Sequence, residues 1–168
     1  MLDRHVFLVG PMGVGKSTIG RVLASELNVP FYDTDRVIES RTGADIPWIF
    51  DMEGEEGFRL RETGVLQDLV AEPPCVIATG GGIVTKPANC ELMSQGLVCY
   101  LTASVEQLVE RTSRDKKRPL LQVDNPREKI IEILAARDEL YRGVADVRLN
   151  TDRFSPKAAV AEILAQLP

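Results

Sequence analysis

Residues 10–17 read GPMGVGKS, and they come directly after the apolar run VFLV at residues 6–9. This is the pattern of a phosphate-binding loop set between a strand and a helix. Its glycines allow consecutive backbone N–H groups to turn toward a phosphate, where a Cβ atom would clash. Lys16 can reach the β- and γ-phosphates, the Ser17 hydroxyl can bind Mg²⁺, and the following helix directs its positive dipole end at the same anion. The stretch therefore predicts a site for a nucleoside triphosphate.

Length, composition and charge are those of one globular domain. The chain has 168 residues, of which 44% are apolar and 27% charged, so we expect a single domain over residues 1–168 with its own core. A net charge of −5 argues against a nucleic-acid-binding surface. No apolar run approaches membrane-spanning length, and the first strand begins too close to Met1 to leave room for a signal segment. We expect a cytoplasmic protein with neither nucleic acid nor membrane as partner.

The three cysteines are Cys75, Cys90 and Cys99, an odd number at wide spacings. Two of them lie in apolar, strand-like runs. This arrangement favours buried free thiols in a reducing compartment over a disulfide or a metal site.

Short apolar runs alternate with helix-length segments along the whole chain. Strands that read as continuous hydrophobic runs, separated by helices, are typical of a parallel sheet covered on both faces. The sequence therefore predicts an α/β fold. The predicted strands are His5–Val9, Pro30–Tyr32, Cys75–Ala78, Leu97–Leu101 and Ala145–Leu149. The predicted helices are Lys16–Leu27, Asp35–Arg41, Ile46–Asp51, Glu55–Val70, Pro87–Gln95, Val105–Arg114, Pro126–Tyr141 and Pro156–Leu167.

One segment, residues 113–125, is charged and lacks helical periodicity. It holds four cations within residues 114–118, and Arg111 comes just before it. Such a cluster on an acidic protein favours an anionic partner, so we predict a mobile lid that covers the phosphates. A solvated surface connection is the alternative.

Two aspartates, Asp33 and Asp35, follow the second predicted strand. The carboxyl ends of strands in an open α/β sheet face the ligand crevice, and the period of two places both carboxylates on one side. One can hold a water of the Mg²⁺ shell and the other can accept a hydrogen bond from a substrate hydroxyl. Helix capping is the alternative, and it explains one aspartate well but two poorly.

The glycine triplet Gly80-Gly81-Gly82 follows the third predicted strand. Three successive glycines expose backbone N–H groups, so that an anion or a sugar-like ring can approach closely. A tight turn would use the same residues. The position at a strand end favours the binding interpretation.

Two arginines lie where the helical pattern calls for apolar residues. Arg137 shares a face with Ile130 and Tyr141, and Arg59 lies one turn before Glu62, which interrupts an apolar face. The acid can hold the Arg59 guanidinium in place. Structural ion pairs are the alternative. With the glycine triplet, two positioned arginines would form a clamp for a carboxylate, since guanidinium matches carboxylate with two parallel hydrogen bonds.

Together these segments resemble the shikimate kinases. The resemblance runs along essentially the whole chain, and the order and spacing of its motifs make it specific. It rests on GPMGVGKSTIGRVLA at 10–24, FYDTD at 31–35, EGEEGFRLRE at 53–62, ATGGGIV at 78–84, RDKKRPLL at 114–121 and AARDELYRGVADV at 135–147.

The resemblance implies a three-layer fold like that of the nucleoside monophosphate kinases, with a five-stranded parallel sheet in the order 2-3-1-4-5. It places a substrate-binding region at residues 34–62 and the lid at 113–125. The implied activity is ATP- and Mg²⁺-dependent transfer of a phosphoryl group to the 3-hydroxyl of shikimate, in chorismate and aromatic amino-acid biosynthesis. We expect a monomeric chain with shikimate and ATP as its partners.

The resemblance also implies roles for individual residues. The catalytic residues would be Lys16, Asp35, which either deprotonates or only orients the reacting hydroxyl, and Arg118, which reaches the transferring phosphate from the lid. Mg²⁺ would be held by Ser17 directly and by Asp33 through water. Phosphate binding falls to Gly13, Val14, Gly15, Lys16, Ser17 and Thr18, and shikimate binding to Asp35, Arg59, Gly80, Gly81, Gly82 and Arg137.

The adenine side matches the family less closely. Arg111 matches an adenine-stacking position, but Phe154 stands where family members often have Gln or Arg. Arg153 or backbone groups are the candidates to replace that contact.

Two other functions stay open at this point. A gluconate kinase or a nucleoside monophosphate kinase would share the loop and the lid, although Asp35, Arg59 and Arg137 favour a small hydroxy-carboxylate as acceptor. A nucleotide-binding module without turnover would be expected to lack the lid arginine or the acidic pair, and both are present.

Overall fold

A five-stranded parallel sheet forms the centre of the computed structural model, which describes residues 1–114 and 123–168. The strand order is β2-β3-β1-β4-β5, and each neighbouring pair is parallel. The predicted order is therefore confirmed, with β2 and β5 at the edges. The strands are β1 Val6–Val9, β2 Phe31–Asp33, β3 Val76–Ala78, β4 Leu97–Thr102 and β5 Val147–Asn150.

Helices connect the strands, and most of them begin at a capping side chain. Asp33, Asp45, Ser104, Asn125 and Ser155 each accept a hydrogen bond from a backbone N–H of the first helical turn. In the described part of the chain the helices are α1 Lys16–Leu27, α2 Thr34–Thr42, α3 Ile46–Val70, α4 Pro87–Met93, α5 Val105–Ser113, α6 Pro126–Val144 and α7 Pro156–Leu164, and a 3₁₀ turn lies at Ile83–Thr85.

Helix α3 joins two segments that the sequence predicts as separate helices. The chain leaves helical geometry at Gly54 (φ 73°, ψ 178°) and then resumes it. A side chain is disfavoured at this positive φ, which accounts for the glycine. The break is bridged by a two-fold ion pair, because Arg61 donates from Nε and Nη2 to the two Glu53 carboxylate oxygens at 2.6 and 2.7 Å. The predicted interruption is confirmed, but no loop separates the two helical parts.

The core lies on both faces of the sheet. Along β1, Val6 and Leu8 belong to the cluster that packs with α1 and α7, whereas Phe7 and Val9 belong to the cluster that packs with α3. This alternation follows from the two-residue period of a strand. Both faces of β1 are buried, as expected for a central strand of a parallel sheet.

The three cysteines are free thiols. Cys75 and Cys99 are buried and Cys90 is half-buried, so the prediction of buried thiols is confirmed for two of the three. Burial raises the pKa of Cys75 to about 11 and that of Cys99 to about 12, so both stay protonated at neutral pH. Among the helices in the described part of the chain, none is long and apolar enough to cross a bilayer.

Candidate active site

The phosphate-binding loop leaves the carboxyl end of β1 and enters α1. Gly10, Gly13 and Gly15 have φ values of 146°, 83° and 105°, which L side chains rarely adopt. Gly10 has a second constraint, since a Cβ atom there would lie 2.5 Å from the Leu101 carbonyl oxygen. The loop conformation therefore explains why glycine stands at these positions.

The Lys16 side chain folds back across this loop. Its Nζ donates to the carbonyl oxygens of Gly10 at 2.6 Å and Pro11 at 2.9 Å. Lys16 is also the first residue of α1, so its ammonium group and the helix N-terminus lie at the same place. Two sources of positive potential therefore converge where the sequence predicts phosphate.

A cavity of about 350 Å³ opens in front of the loop. The ends of β2 and β3 and the residues that follow β5 form its other walls, as expected at the carboxyl edge of an open α/β sheet. This volume is that of a small-molecule site. Its lining residues are Gly13, Val14, Gly15, Lys16, Ser17, Thr18, Ile19, Asp33, Asp35, Thr79, Gly80, Gly81, Arg111, Thr151, Phe154 and Pro156.

Asp33 does two things at once. Its Oδ1 accepts hydrogen bonds from the N–H groups of Asp35 at 3.0 Å and Arg36 at 3.3 Å, which caps α2. Its Oδ2 accepts a hydrogen bond from the Ser17 hydroxyl at 2.6 Å. The capping alternative is therefore correct for this residue, which also contacts Ser17, the predicted metal ligand.

The oxygen pair of Ser17 and Asp33 fits the chemistry of Mg²⁺, which prefers oxygen ligands and keeps several waters. In residues 1–114 and 123–168, no group of three or more His, Cys, Asp or Glu side chains could hold a metal ion. Such an ion at Ser17 would therefore complete its shell with water and phosphate oxygens, as is usual for Mg²⁺ at a nucleotide.

Asp35 stands in the first turn of α2 and lines the cavity beside the glycine triplet. A Cβ atom on Gly80 would lie 2.9 Å from Asp35 Oδ1 and 2.7 Å from Glu62 Oε2. The Gly80 N–H donates to the Thr34 hydroxyl at 3.0 Å. The expectation that this N–H faces the crevice is therefore wrong. Gly80 is needed for the close approach of two carboxylates.

Gly81 and Gly82 bring the two predicted arginines to the same wall. A Cβ atom on Gly82 would lie 2.6 Å from Arg59 Nη1, and one on Gly81 would lie 3.5 Å from Arg137 Nη1. Gly82 has a φ of −94°, so the absence of a side chain, and not its backbone conformation, accounts for this glycine. Neither arginine lines the cavity itself. Arg137 lies against Gly81, which is in the lining, and Arg59 lies against Gly82, which is the next residue along the chain.

Arg59 is held by two carboxylates of its own helix. It is 5% exposed, and its Nη1 donates to Glu62 Oε1 at 3.0 Å while its Nη2 donates to Glu55 Oε1 at 3.2 Å. The predicted pairing with Glu62 is therefore confirmed. Arg137, on α6, is 8% exposed. Two nearly buried guanidinium groups thus stand beside one glycine segment, which is an unusual concentration of positive charge for a protein interior.

Glu62 is a strongly perturbed carboxyl group beside this site. It is fully buried, and its Oε2 has no hydrogen-bond partner among the residues that the structure describes. Burial raises the pKa of Glu62 to about 7, with Asp35 adding repulsion and the two arginines opposing the shift. The carboxyl therefore changes charge near neutral pH.

The raised pKa predicts a pH dependence of stability. The folded state retains the Glu62 proton between pH 4.5 and about 7, where the unfolded chain has released it. Stability from this group is therefore greatest below pH 4.5 and decreases as the pH rises through 7. Between pH 5 and 8 this loss should lower the free energy of unfolding by an amount on the order of 2–3 kcal/mol, and we expect the loss to be absent in Glu62→Gln. Urea unfolding of both proteins from pH 5 to 8 measures it, and equal pH slopes would contradict the assignment.

Tyr141 has no role predicted from the sequence, although its spacing places it on the same helix face as Arg137. The side chain is fully buried, and its hydroxyl donates to the Gly81 carbonyl oxygen. Its ring packs on Tyr100, with 4.8 Å between the ring centroids. The only signal in the sequence was the i,i+4 spacing from Arg137, which predicts a shared face but not a hydrogen bond.

On the adenine side, the structure brings some predicted residues to the cavity and leaves others away from it. Arg111 lines the cavity and donates from Nη1 to the carbonyl oxygens of Gly13 at 3.1 Å and Val14 at 3.2 Å. Phe154 is also in the lining, whereas Arg153 is exposed and is not among the lining residues. A contact of Arg153 with adenine stays a prediction.

The predicted lid lies largely outside the described residues. Arg118 and the other residues of 115–122 belong to this part, so the lid at 113–125 and the role of Arg118 also stay predictions.

Comparison with known proteins points to one family. The family model described as shikimate kinase matches residues 12–168. The shikimate kinase of Pseudomonas fluorescens is 55% identical over 169 residues, which cover 98% of each chain. Among solved structures, a shikimate kinase from Acinetobacter baumannii in complex with shikimate has a TM-score of 0.94 and 48% identity, covering 97% of this chain and 92% of that chain.

The similarity to a gluconate kinase, the alternative interpretation of the sequence, is much weaker. A gluconokinase from Sinorhizobium meliloti has a TM-score of 0.60 and 16% identity, covering 97% of this chain and 90% of that chain. Similarity at this level reflects a shared fold and carries no information on the acceptor.

Proposed function

Since the chain belongs to the shikimate kinase family, we propose that its cavity transfers the γ-phosphoryl group of ATP to the 3-hydroxyl of shikimate, with the predicted residues as its machinery. One observation carries the proposal. A Cβ atom on Gly81 would lie 3.5 Å from Arg137 Nη1, 3.6 Å from Met12 Cγ and 3.7 Å from the Gly10 carbonyl oxygen. Gly81 therefore lies between the phosphate-binding loop and a buried guanidinium, and a single added carbon atom at Gly81 would contact both. A phosphate site and a carboxylate site are adjacent.

At the phosphate end, the loop N–H groups and Lys16 hold the nucleotide. Ser17 and, through water, Asp33 would hold Mg²⁺, which when bound neutralises charge on the phosphates. Arg111 lies beside the loop on the adenine side. The residues assigned to the phosphates are Gly13, Val14, Gly15, Lys16, Ser17 and Thr18, all of which line the cavity.

At the acceptor end, Asp35 accepts a hydrogen bond from the reacting hydroxyl. Arg59, Arg137, Gly81 and Gly82 bind the shikimate carboxylate. Phosphoryl transfer has a loose transition state and depends mainly on positioning and on stabilisation of charge. Asp35 therefore orients the hydroxyl first and needs to take its proton only late.

Further parts of the proposal rest on the sequence. The lid at 113–125 closes over the phosphates and brings Arg118 to them, since the cations of 114–118 require an anionic partner on a chain of net charge −5. The protein works as a cytoplasmic monomer with neither nucleic acid nor membrane as partner. Its free thiols support a reducing compartment, and its acidic charge argues against nucleic acid as a partner.

The experiment that tests the function is an ADP-release assay with ATP and Mg²⁺. Shikimate, quinate, gluconate and the nucleoside monophosphates are offered in turn as acceptors. We expect shikimate to give the highest kcat/KM by a wide margin, and NMR of the product to locate the phosphate at the 3-oxygen. A higher value for gluconate or a nucleotide would reject the proposal.

Substitution of either buried arginine should weaken binding of the acceptor selectively. Arg59→Ala and Arg137→Ala should each weaken shikimate by about 2–4 kcal/mol, because each change removes a charged donor in a desolvated site. The KM for ATP should change little. Arg59→Lys should also bind poorly, since an ammonium group cannot offer two parallel donors.

The control for this comparison is Arg127→Ala, which removes an exposed arginine of α6 that pairs with Glu106 at 3.0 Å. Steady-state kinetics of the four variants and the wild-type enzyme measure both KM values. Equal losses for ATP and shikimate would instead indicate that the buried arginines serve only the fold.

A further inference from the structure

The Tyr141 hydroxyl lies beside two groups of the proposed carboxylate site. It donates to the Gly81 carbonyl oxygen. Arg137 lies one turn earlier on α6, and its Nη1 would be 3.5 Å from a Cβ atom on Gly81. One buried hydroxyl thus holds the glycine that lies against the arginine.

The ring that carries this hydroxyl is itself held in place. It is fully buried and packs on Tyr100 with 4.8 Å between the ring centroids. Tyr141 therefore has one well-determined position from which to orient its neighbours.

The protonation state of Tyr141 suits a permanent donor. Burial raises its pKa to about 12, although Arg137 and Arg59 favour the phenolate. The hydroxyl therefore keeps its proton throughout the neutral range. Its hydrogen bond to Gly81 does not depend on pH there.

We propose that Tyr141 is a positioning residue for acceptor binding, because its hydroxyl fixes the distance between Arg137 and the Gly81 backbone so that both meet one carboxylate. This inference rests on the proposed function. An arginine side chain has several rotatable bonds, and ordering them on binding costs free energy. A tyrosine that orders the guanidinium beforehand removes part of that cost, so its contribution should appear in affinity for the carboxylate and not in the chemistry of the phosphate.

The alternative is that Tyr141 only fills the core between α6 and the sheet. Tyr141→Phe separates the two roles, because the ring and its packing on Tyr100 remain while the hydroxyl is lost. The matched control is Tyr100→Phe, which deletes the hydroxyl of the neighbouring stacked ring. That hydroxyl reaches Asp138 and not the glycine triplet.

The test compares shikimate with its methyl ester, which retains the ring hydroxyls but carries no negative charge. We measure kcat/KM for both acceptors, the KM for ATP and the melting temperature of each protein. For Tyr141→Phe we expect kcat/KM for shikimate to fall about tenfold, the effect of losing one hydrogen bond that orders a charged group. For the same variant, kcat/KM for the ester and the KM for ATP should change by no more than about twofold. For Tyr100→Phe, all three constants should stay within about twofold of the wild-type values.

The kinetic outcomes distinguish failure of the positioning role from failure of the proposed function. An equal loss for shikimate and ester, or no loss at all, overturns the positioning role while leaving the proposed function intact. Failure of the wild-type enzyme to prefer shikimate over its ester rejects the carboxylate site, and with it the premise of this inference.

A second measurement does not need the Tyr141 variant to fold. The chain has three tyrosines, so 3-fluorotyrosine labelling gives three ¹⁹F signals, and Tyr32→Phe and Tyr100→Phe identify the signal of Tyr141 by elimination. Shikimate should shift this signal, and the methyl ester should shift it much less. A signal that responds equally to both acceptors, or to neither, would overturn the proposal.

Discussion

Lys16→Met should abolish turnover and leave the fold intact. The charge that develops on the transferring phosphoryl group is stabilised by pre-positioned cations and donors, and loss of one such donor typically costs about 10²–10³ in kcat. Lys16 belongs at the upper end of this range or beyond it, because its full positive charge lies at the N-terminus of α1. We expect kcat to fall by at least about a thousandfold.

The stability of this variant should change little. Lys16 donates to two carbonyl oxygens of the loop, and the methionine keeps the length of the side chain and its helix propensity. Arg21→Met provides the control, since it removes an exposed cation from the same helix, outside the cavity lining. ADP release under saturating substrates and circular dichroism measure the two properties. Near-normal turnover in a well-folded Lys16→Met protein would reject the assignment of the loop.

The two aspartates should behave differently when each is changed to asparagine. Asp35→Asn keeps the shape of the side chain but removes its negative charge, so the acceptor hydroxyl loses its charged partner. We expect kcat to fall by about 10²–10³, a typical effect for a positioned acid–base group, while nucleotide binding is largely retained. Isothermal titration with ADP and Mg²⁺ measures that binding.

Asp33→Asn should mainly raise the Mg²⁺ concentration needed for half-maximal activity. An amide oxygen can still cap α2, so the fold should persist. The group that faces Ser17 would then lose its charge and hold a metal-bound water less firmly. Activity is measured against Mg²⁺ concentration for both variants. Rescue of Asp35→Asn by excess Mg²⁺, without rescue of Asp33→Asn, would reverse the two roles.

Much of the fold could be predicted because the evidence for it is local. Continuous apolar runs predicted the strands of a sheet that is buried on both faces, and the helix ends coincide closely with capping residues such as Ser104 and Ser155. The strand order could not be predicted from local patterns. It came from resemblance to a family, since contacts between β1 and β4 across some ninety residues have no signature in spacing.

The site was predictable where spacing alone determines a contact. The i,i+3 relation of Arg59 and Glu62 on one helix was enough to predict their ion pair. Contacts between distant segments were not predictable from spacing. The hydrogen bond of the Gly80 N–H to Thr34 depends on how β2 and β3 are aligned. The same holds for the approach of Arg59 to Gly82 and of Tyr141 to Gly81.

The sheet also determines how folded copies of this chain meet each other. Its edges are a three-residue strand, β2, and a four-residue strand, β5. Exposed sheet edges act as templates for further strands, and very short or charged edges suppress this hazard. Arg21 covers the Phe31 ring of β2 at 5.4 Å, and Arg148 is exposed on β5. Concentrated solutions of the folded protein should therefore resist fibrillar aggregation, and any fibrils that form on storage should originate from unfolded chains.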